Sequence, residues 1–243
     1  MIRYGLIGKP LSHSFSQRYF SEKFRREGLG GHRYDLFELD SADALPALID
    51  RTPGLRGLNV TLPYKQAVMP LLDAIDPLAA AVGAVNTIRI DEGRLTGFNT
   101  DVEGFRRTLD PLLHGTRPRA LVLGSGGASR AVAYVLKERG IRFRVVSRSR
   151  ERGDLTYDLV DPIVVQVFTL LINTTPLGMH PDAQSLPPIP YEAIGPGHAL
   201  IDLVYNPAET AFLREGKSRG AATANGLDML HAQAEASWRI WNG

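Results

Sequence analysis

The 243-residue chain contains no cysteine, which excludes disulfides, thiolate zinc sites and iron–sulfur clusters. Its six histidines show no metal-ligand spacing such as H-x-x-x-H, so no metal centre is expected. Neither sign of charge is in excess. Lys and Arg number 28 against 26 Asp and Glu, for a net charge of +2, and no basic stripe with interleaved aromatics occurs. That argues against a nucleic-acid partner. Long apolar runs are missing too. The most apolar stretch, Ile163 to Ile172, is about half the length of a membrane-spanning helix. The start, Met1-Ile2-Arg3-Tyr4-Gly5, lacks the apolar core of a signal peptide. The expectation is a soluble cytoplasmic protein without a metal or a membrane partner. A hydrophobic fraction of 44% and a charged fraction of 22% are ordinary for globular proteins. The length allows one large or two small domains.

What is present is organised around residues 119–148. Ala120-Leu121-Val122-Leu123 reads as a strand and Gly124-Ser125-Gly126-Gly127-Ala128-Ser129 as a glycine-rich turn. An apolar-periodic helix runs from Arg130 to about Arg139, and Phe143-Arg144-Val145-Val146 forms a second strand. This βαβ pattern seats a dinucleotide pyrophosphate on a helix N-terminus. Gly124 permits the turn, and Gly126 lets the backbone approach phosphate. After the second strand, NAD enzymes carry an acid and NADP enzymes an arginine. The run here is Ser147-Arg148-Ser149-Arg150-Glu151-Arg152, which favours NADP over a merely solvated basic loop.

Upstream, Ile2 to Ile7 reads as a strand, followed by Leu11-Ser12-His13-Ser14-Phe15-Ser16-Gln17 and a helix with Tyr19, Phe20 and Phe24 on its apolar face. Ser14-x-x-Gln17 satisfies the capping-box pattern. Hydroxyls at Ser12, Ser14 and Ser16 exceed that need, and in extended chain they face one way, towards a hydroxylated or carboxylate ligand. Strands follow at Tyr34–Leu39 and Leu55–Val60, with a helix at Ser41–Ile49 between them. A second helix is predicted from Thr61 as N-cap, through Pro63 and Lys65, to about Leu72. A cation in that first turn meets the positive end of the dipole. Lys65 is then either a solvated lysine or a proton-transferring one. A hairpin turns at Asp91-Glu92-Gly93. Thr100-x-x-Glu103 opens the next helix with Asp101 in its first turn, a sufficient stability role in itself. Further strands lie at Leu170–Ile172 and Leu200–Val204, and helices at Glu209–Arg219 and Met229–Trp241. The pattern places no helix in Gly153 to Phe168.

Taken together, several motifs resemble those of the shikimate dehydrogenase family. In chain order they are Gly8-x-Pro10-Leu11-x-His13-Ser14-x-Ser16, Asn59-Val60-Thr61-x-Pro63-x-Lys65, Gly83-Ala84-Val85-Asn86-Thr87 and Asn99-Thr100-Asp101. They continue with Gly124-x-Gly126-Gly127-Ala128-Ser129-Arg130, Asn173-x-Thr175-Pro176-Leu177-Gly178-Met179 and Gly226-x-x-Met229-Leu230-x-x-Gln233. They span nearly the whole chain. The resemblance implies NADPH-dependent, reversible reduction of 3-dehydroshikimate to shikimate, on the way to chorismate and the aromatic amino acids. It implies two α/β lobes with a cleft between: a substrate-binding and catalytic domain (residues 1–102 plus 227–243) and a Rossmann-like NADP-binding domain (103–226). By resemblance, Ser14, Ser16, Asn59, Thr61, Lys65, Asn86, Asp101, Tyr205 and Gln233 hold substrate, with Lys65 and Asp101 as the catalytic pair. Gly124, Ser125, Gly126, Gly127, Ala128, Ser129, Ser147 and Thr174 take the nucleotide, Arg148 and Arg152 its 2′-phosphate, and Leu203, Gly226 and Met229 the nicotinamide side. The chain departs from the family at Gln17, where proline is frequent, at Ser147 in place of asparagine, and in its short segment 153–168. The alternatives are a quinate/shikimate dehydrogenase accepting NAD, or a non-catalytic NADP-binding sensor. A monomer or homodimer is expected.

Overall fold

The computed structural model describes residues 1–11, 14–113, 115 and 117–243. Ser12 of the hydroxyl row, His13 of the first motif, and His114 and Thr116 of the polar break before the glycine turn lie outside the described residues. The chain divides into two compact units, Met1–Thr100 with Ala234–Gly243, and Asp101–Gln233. Among the described residues no helix is long and apolar enough to cross a membrane.

The first unit runs β1 (Ile2–Gly8), α1 (Phe15–Arg26), β2 (His32–Glu38), α2 (Leu45–Asp50), β3 (Leu55–Val60), β4 (Ala74–Ile75), α3 (Pro77–Val82), β5 (Thr87–Asp91) and β6 (Arg94–Phe98). Its sheet has the order β2-β1-β3-β5-β6-β4. β2, β1 and β3 are parallel, whereas β5 is antiparallel to both β3 and β6. Residue alternation sorts the side chains to two faces. Ile7, Leu58, Val60, Ile88 and Ile90 join one apolar cluster, while Tyr4, Leu6, Tyr34, Phe20, Phe24 and Trp241 form the other. The hairpin turn bends through left-handed backbone at Glu92 and Gly93, as a tight two-residue turn requires.

The second unit runs α4 (Asp101–Leu113), β7 (Ala120–Leu123), α5 (Gly127–Glu138), β8 (Phe143–Ser147), β9 (Leu155–Thr156), α6 (Pro162–Val167), β10 (Leu170–Asn173), β11 (Ala199–Asp202), α7 (Ala211–Ser218) and β12 (Ala222–Ala224). The last helix, α8 (Leu227–Asn242), begins in this unit, and its residues from Ala234 onward belong to the first. The sheet is parallel throughout, in the order β12-β11-β10-β7-β8-β9. The chain therefore leaves β7 in one direction and returns to its other side at β10. A doubly wound sheet reverses there, and such switch points are where open α/β sheets bind ligands.

Several expectations are corrected. Residues 61–72 form no α-helix: a run of turns leads into a 3₁₀ turn at Met69–Leu71. Val68 N does donate to Tyr64 O at 3.0 Å, but Pro70 disfavours helical backbone at Met69 and has no N–H to continue the ladder. The dipole argument for Lys65 falls with the helix. Ser14 does precede α1, but its hydroxyl makes no cap, and Gln17 donates instead to the Tyr34 carbonyl at 3.4 Å. The helix expected at Ser41–Ile49 starts as a 3₁₀ turn, Ala42–Ala44, capped by Ser41. Segment 153–168 holds β9 and the six-residue α6, whose Val164 N–H is capped by Asp161 at 2.8 Å. The strands β4 and β12 are two and three residues long, too short to leave a periodic signal.

Trp241 anchors the last turns of α8. Its Nε1 donates to the Ile88 carbonyl at 3.0 Å, its ring stacks on Tyr4 at 4.8 Å, and it fills the space a side chain at Gly57 would need. Trp241→Ala should cost about 3–5 kcal/mol of stability. Urea unfolding checks this, and a loss below about 1 kcal/mol would show that the first unit does not depend on α8.

Candidate active site

The first unit gathers its polar residues at one sheet edge, the one formed by the carboxyl ends of β1 and β3. Because β5 and β6 are antiparallel neighbours, the hairpin's two open ends return to that edge. Asn59 lies opposite Thr87, and Thr87 opposite Phe98. This places Thr61–Lys65, Asn86 and Asn99–Thr100 side by side. Backbone bonds stitch the loops together. Lys9 N donates to Leu62 O at 3.0 Å, Thr61 N to Ile7 O at 2.9 Å, and Val85 N to Lys65 O at 2.7 Å. Gly8 is required here, since a β-carbon would fall within 2.4 Å of the Thr61 methyl and 2.9 Å of Leu11.

Behind the edge runs a buried polar chain. The Tyr34 hydroxyl donates to Asn59 Oδ1 at 2.8 Å, and Asn59 Nδ2 donates to Ser237 Oγ at 2.9 Å. Ser237 shares a further bond with Thr87 at 2.8 Å. Asn86 Oδ1 accepts the Thr100 N–H at 2.7 Å, fixing the residue that precedes Asp101. Burial pushes the Tyr34 phenol up, opposed by a hydrogen bond with the Ser16 hydroxyl. One hydroxyl stands apart: Ser14 Oγ is buried and has no hydrogen-bond partner among the described residues. An unpaired buried polar atom costs free energy, and a ligand that pairs with it recovers the loss. A carboxylate or hydroxyl reaching Ser14 meets that condition.

Of the proposed substrate residues, Ser14, Ser16, Asn59, Thr61, Lys65 and Asn86 thus share the first unit, while Asp101, Tyr205 and Gln233 belong to the second. Asp101 is buried in the first turn of α4, where the helix dipole favours a carboxylate. Sequence reasoning missed Thr87, Thr100 and Ser237, which hold the amides. A signal existed for two of them. Alternation puts Thr87 on the same face as Asn59, and Ser237 follows Gln233 by one helical turn.

In the second unit, Gly124 and Asn173-Thr174 end the two strands that flank the switch point. Gly124 has a φ of 110°, and a β-carbon there would lie 2.6 Å from Thr174 Oγ1. Gly126 differs: nothing lies within 4 Å of where its side chain would stand. It is the N-cap of α5 and supplies no side-chain cap, so the first N–H groups of that helix are open to an anion. Ser125 and Ser147 join the ends of β7 and β8 through a 3.0 Å hydroxyl contact. Arg148 and Arg152 are exposed on the following loop, which Arg152 N closes on Ser149 O at 3.1 Å. Leu203 N donates to Asn173 O at 3.0 Å, and Gly226 N to Val204 O at 3.3 Å, aligning the rim of the sheet. Open backbone at Gly126, bare helix N–H groups and two arginines fit a phosphorylated dinucleotide. Among the described residues no cluster of His, Asp and Glu could hold a metal.

A surface hollow of about 640 Å³ in the first unit lies elsewhere, between the end of α1 and the start of β2, lined by Phe24, Arg25, Leu29 and His32. It is lined by none of the proposed substrate residues, though Tyr34 of the buried polar chain borders it.

The model of the shikimate dehydrogenase substrate binding domain matches residues 6–88. The NADP(+) shikimate dehydrogenase of Carboxydothermus hydrogenoformans is 37% identical over 98% of this chain and 91% of its own length. The shikimate 5-dehydrogenase of Thermus thermophilus, solved with NADP(H) and shikimate, is 37% identical and superposes with a TM-score of 0.86, covering 100% of this chain and 94% of its own. A quinate dehydrogenase from Corynebacterium glutamicum solved with NAD is 30% identical, with a TM-score of 0.87 over 100% of this chain and 94% of that one. With relatedness of this extent over nearly its whole length, the chain belongs to the shikimate dehydrogenase family.

Proposed function

We propose that the protein is an NADP-dependent oxidoreductase acting on a CH–OH group, which reversibly reduces 3-dehydroshikimate to shikimate in the route to chorismate and the aromatic amino acids. The observation that carries this reading is the near-full-length relatedness to NADP(+) shikimate dehydrogenases. In this reading the first unit, together with Asp101, Tyr205 and Gln233, binds substrate, and the remainder of the second unit binds the nucleotide.

Ser14 and Ser16 hold the substrate carboxylate, and Asn59, Thr61, Asn86, Tyr205 and Gln233 its remaining oxygens. The buried chain from Tyr34 through Asn59 to Ser237 fixes the Asn59 amide in one orientation, so that residue meets its ligand pre-ordered. When bound, the reduced nicotinamide supplies the hydride. Negative charge then grows on the ketone oxygen. Lys65 stabilises that charge as an ammonium and gives the oxygen its proton, and Asp101 supports the ammonium. In the reverse direction Lys65 takes the hydroxyl proton. Gly124 to Ser129 seat the pyrophosphate, with Ser147 and Thr174 beside them. Arg148 and Arg152 meet the 2′-phosphate, and Leu203, Gly226 and Met229 line the nicotinamide side.

The decisive assay follows the loss of NADPH absorbance with 3-dehydroshikimate, against dehydroquinate and NADH. Turnover confined to NADPH with 3-dehydroshikimate is expected. Comparable rates with dehydroquinate or NADH would instead indicate a quinate/shikimate dehydrogenase. Arg148→Ala should raise KM for NADPH about tenfold, since a charge-assisted contact at an exposed site is lost, and should change KM for NADH little. Equal losses with both would remove Arg148 from the 2′-phosphate.

A further inference from the structure

Asp202, the last residue of β11, is fully buried, yet it has no part in the chemistry above. Its Oδ1 accepts from Val204 N and from Asn173 Nδ2, each at 3.0 Å, and its Oδ2 accepts from the Thr210 hydroxyl at 2.5 Å. Each partner controls a different piece of the nucleotide rim. Asn173 Oδ1 accepts from Thr175 N at 3.0 Å and Thr175 Oγ1 at 2.6 Å, and its Nδ2 also donates to Leu177 O at 3.2 Å. That sets the loop whose Thr174 and Thr175 press against Gly124. Val204 O accepts from Gly226 N, and the Leu203 carbonyl lies where a side chain at Gly226 would stand. Thr210 caps α7 through Leu213 N at 3.3 Å.

We propose that Asp202 is a positioning residue whose carboxylate holds the glycine turn, the 173–178 loop and the Leu203–Gly226 strip in one arrangement for the cofactor. This rests on the reading that a nucleotide occupies that rim.

The chemistry of the site supports a role for the charge itself. Burial raises the Asp202 carboxyl to about 6, against the pull of its hydrogen bonds from Thr210, Val204 and Asn173. Among the described residues no cation acts on it, and the titratable neighbour that senses it is the Tyr191 phenol. A folded-state value above the unfolded one means that the folded protein binds more protons between the two. Stability therefore falls as pH rises from about 4 to about 6, and above that the ionised carboxylate is a net cost to the fold. An asparagine accepts from Val204 and Asn173 equally well in geometry, and its Nδ2 can donate to Thr210 Oγ1. What it lacks is the charge that strengthens those bonds. A carboxylate that weakens the fold but tightens three loops fits a functional rather than a structural constraint.

The test is NADP+ affinity by titration calorimetry on wild type and Asp202→Asn from about one pH unit below to one above the Asp202 value of about 6. The nucleotide's own 2′-phosphate titrates in this range and acts equally on both proteins. Asp202→Asn should be at least as resistant to heat as wild type near neutrality. It should bind about fivefold more weakly at the upper pH, with the two converging at the lower pH where Asp202 is itself neutral. Thr210→Val removes a donor that favours the ionised form, so the pH at which the charge begins to act on affinity should move upward. Equal affinities at the upper pH, a ratio that does not change with pH, or an unmoved midpoint in Thr210→Val would overturn the positioning role and leave the nucleotide site standing. Failure of folded wild type to bind NADP+ at any pH would overturn both.

Discussion

Lys65→Ala is expected to lower kcat for 3-dehydroshikimate reduction by a factor of about 10² to 10⁴, the range lost with a general acid that also stabilises developing charge. The fold should barely respond. The backbone carbonyl of Lys65 accepts from Val85 N at 2.7 Å, and alanine keeps that bond. The packing of the turn comes from its neighbours. Tyr64 is buried and donates to the Leu39 carbonyl at 2.5 Å, and Val68 is fully buried one turn on. Loss of activity without loss of melting temperature is therefore the signature. Lys65→Arg sharpens it, because a guanidinium keeps the positive charge but does not give up a proton. Electrostatics alone would let arginine recover most of the rate, whereas proton donation would leave it close to alanine. Near-normal turnover in Lys65→Ala, measured by NADPH absorbance on folded protein, would remove Lys65 from the chemistry.

Lys65 also marks the limit of what the chain alone reveals. The residue and its motif are legible, but the helix dipole that its position suggests is not there. Thr61 and Pro63 look like a helix start, yet Pro70 cuts the ladder, and the segment is held instead by side-chain anchors at Tyr64 and Val68 that no local pattern reveals. The glycine turn between β7 and α5 is legible because its strand, turn and helix are contiguous and each has its own period. Segment 153–168 is not, since a two-residue strand and a six-residue helix are too short to establish periodicity. Ser14 reads two ways, as cap and as ligand contact. Among the described residues its buried hydroxyl has no partner and makes no cap bond, which speaks against the cap. Thr87, Thr100 and Ser237 escape for a different reason. Their partners, Asn59 and Asn86, are distant in sequence or adjacent only because the antiparallel hairpin folds back to the edge of a parallel sheet.

The two glycines of the nucleotide turn should fail in opposite ways. Gly124→Ala puts a β-carbon on backbone with a φ of 110° and within 2.6 Å of Thr174 Oγ1 and 3.0 Å of the Thr175 methyl. Both partners sit on a loop pinned through Asn173, so neither can yield cheaply, and roughly 1–3 kcal/mol of stability should be lost. Gly126 has a φ of −85°, which any residue adopts, and open space where its side chain would stand. Gly126→Val should therefore fold with a penalty of about 1 kcal/mol, that of a poor N-cap. Its branched side chain would fill the approach to the bare N–H groups of α5. NADP+ affinity should then fall by a factor on the order of 100, as expected for losing one or two charge-assisted hydrogen bonds. Shikimate binding, which in this reading does not use the glycine turn, should persist. Calorimetric titration of each ligand, set beside thermal melts of both variants, separates the two failures. If Gly126→Val bound NADP+ like wild type, the pyrophosphate could not lie on this turn. If Gly124→Ala melted like wild type, the contact between the turn and the 173–178 loop would be looser than its geometry requires.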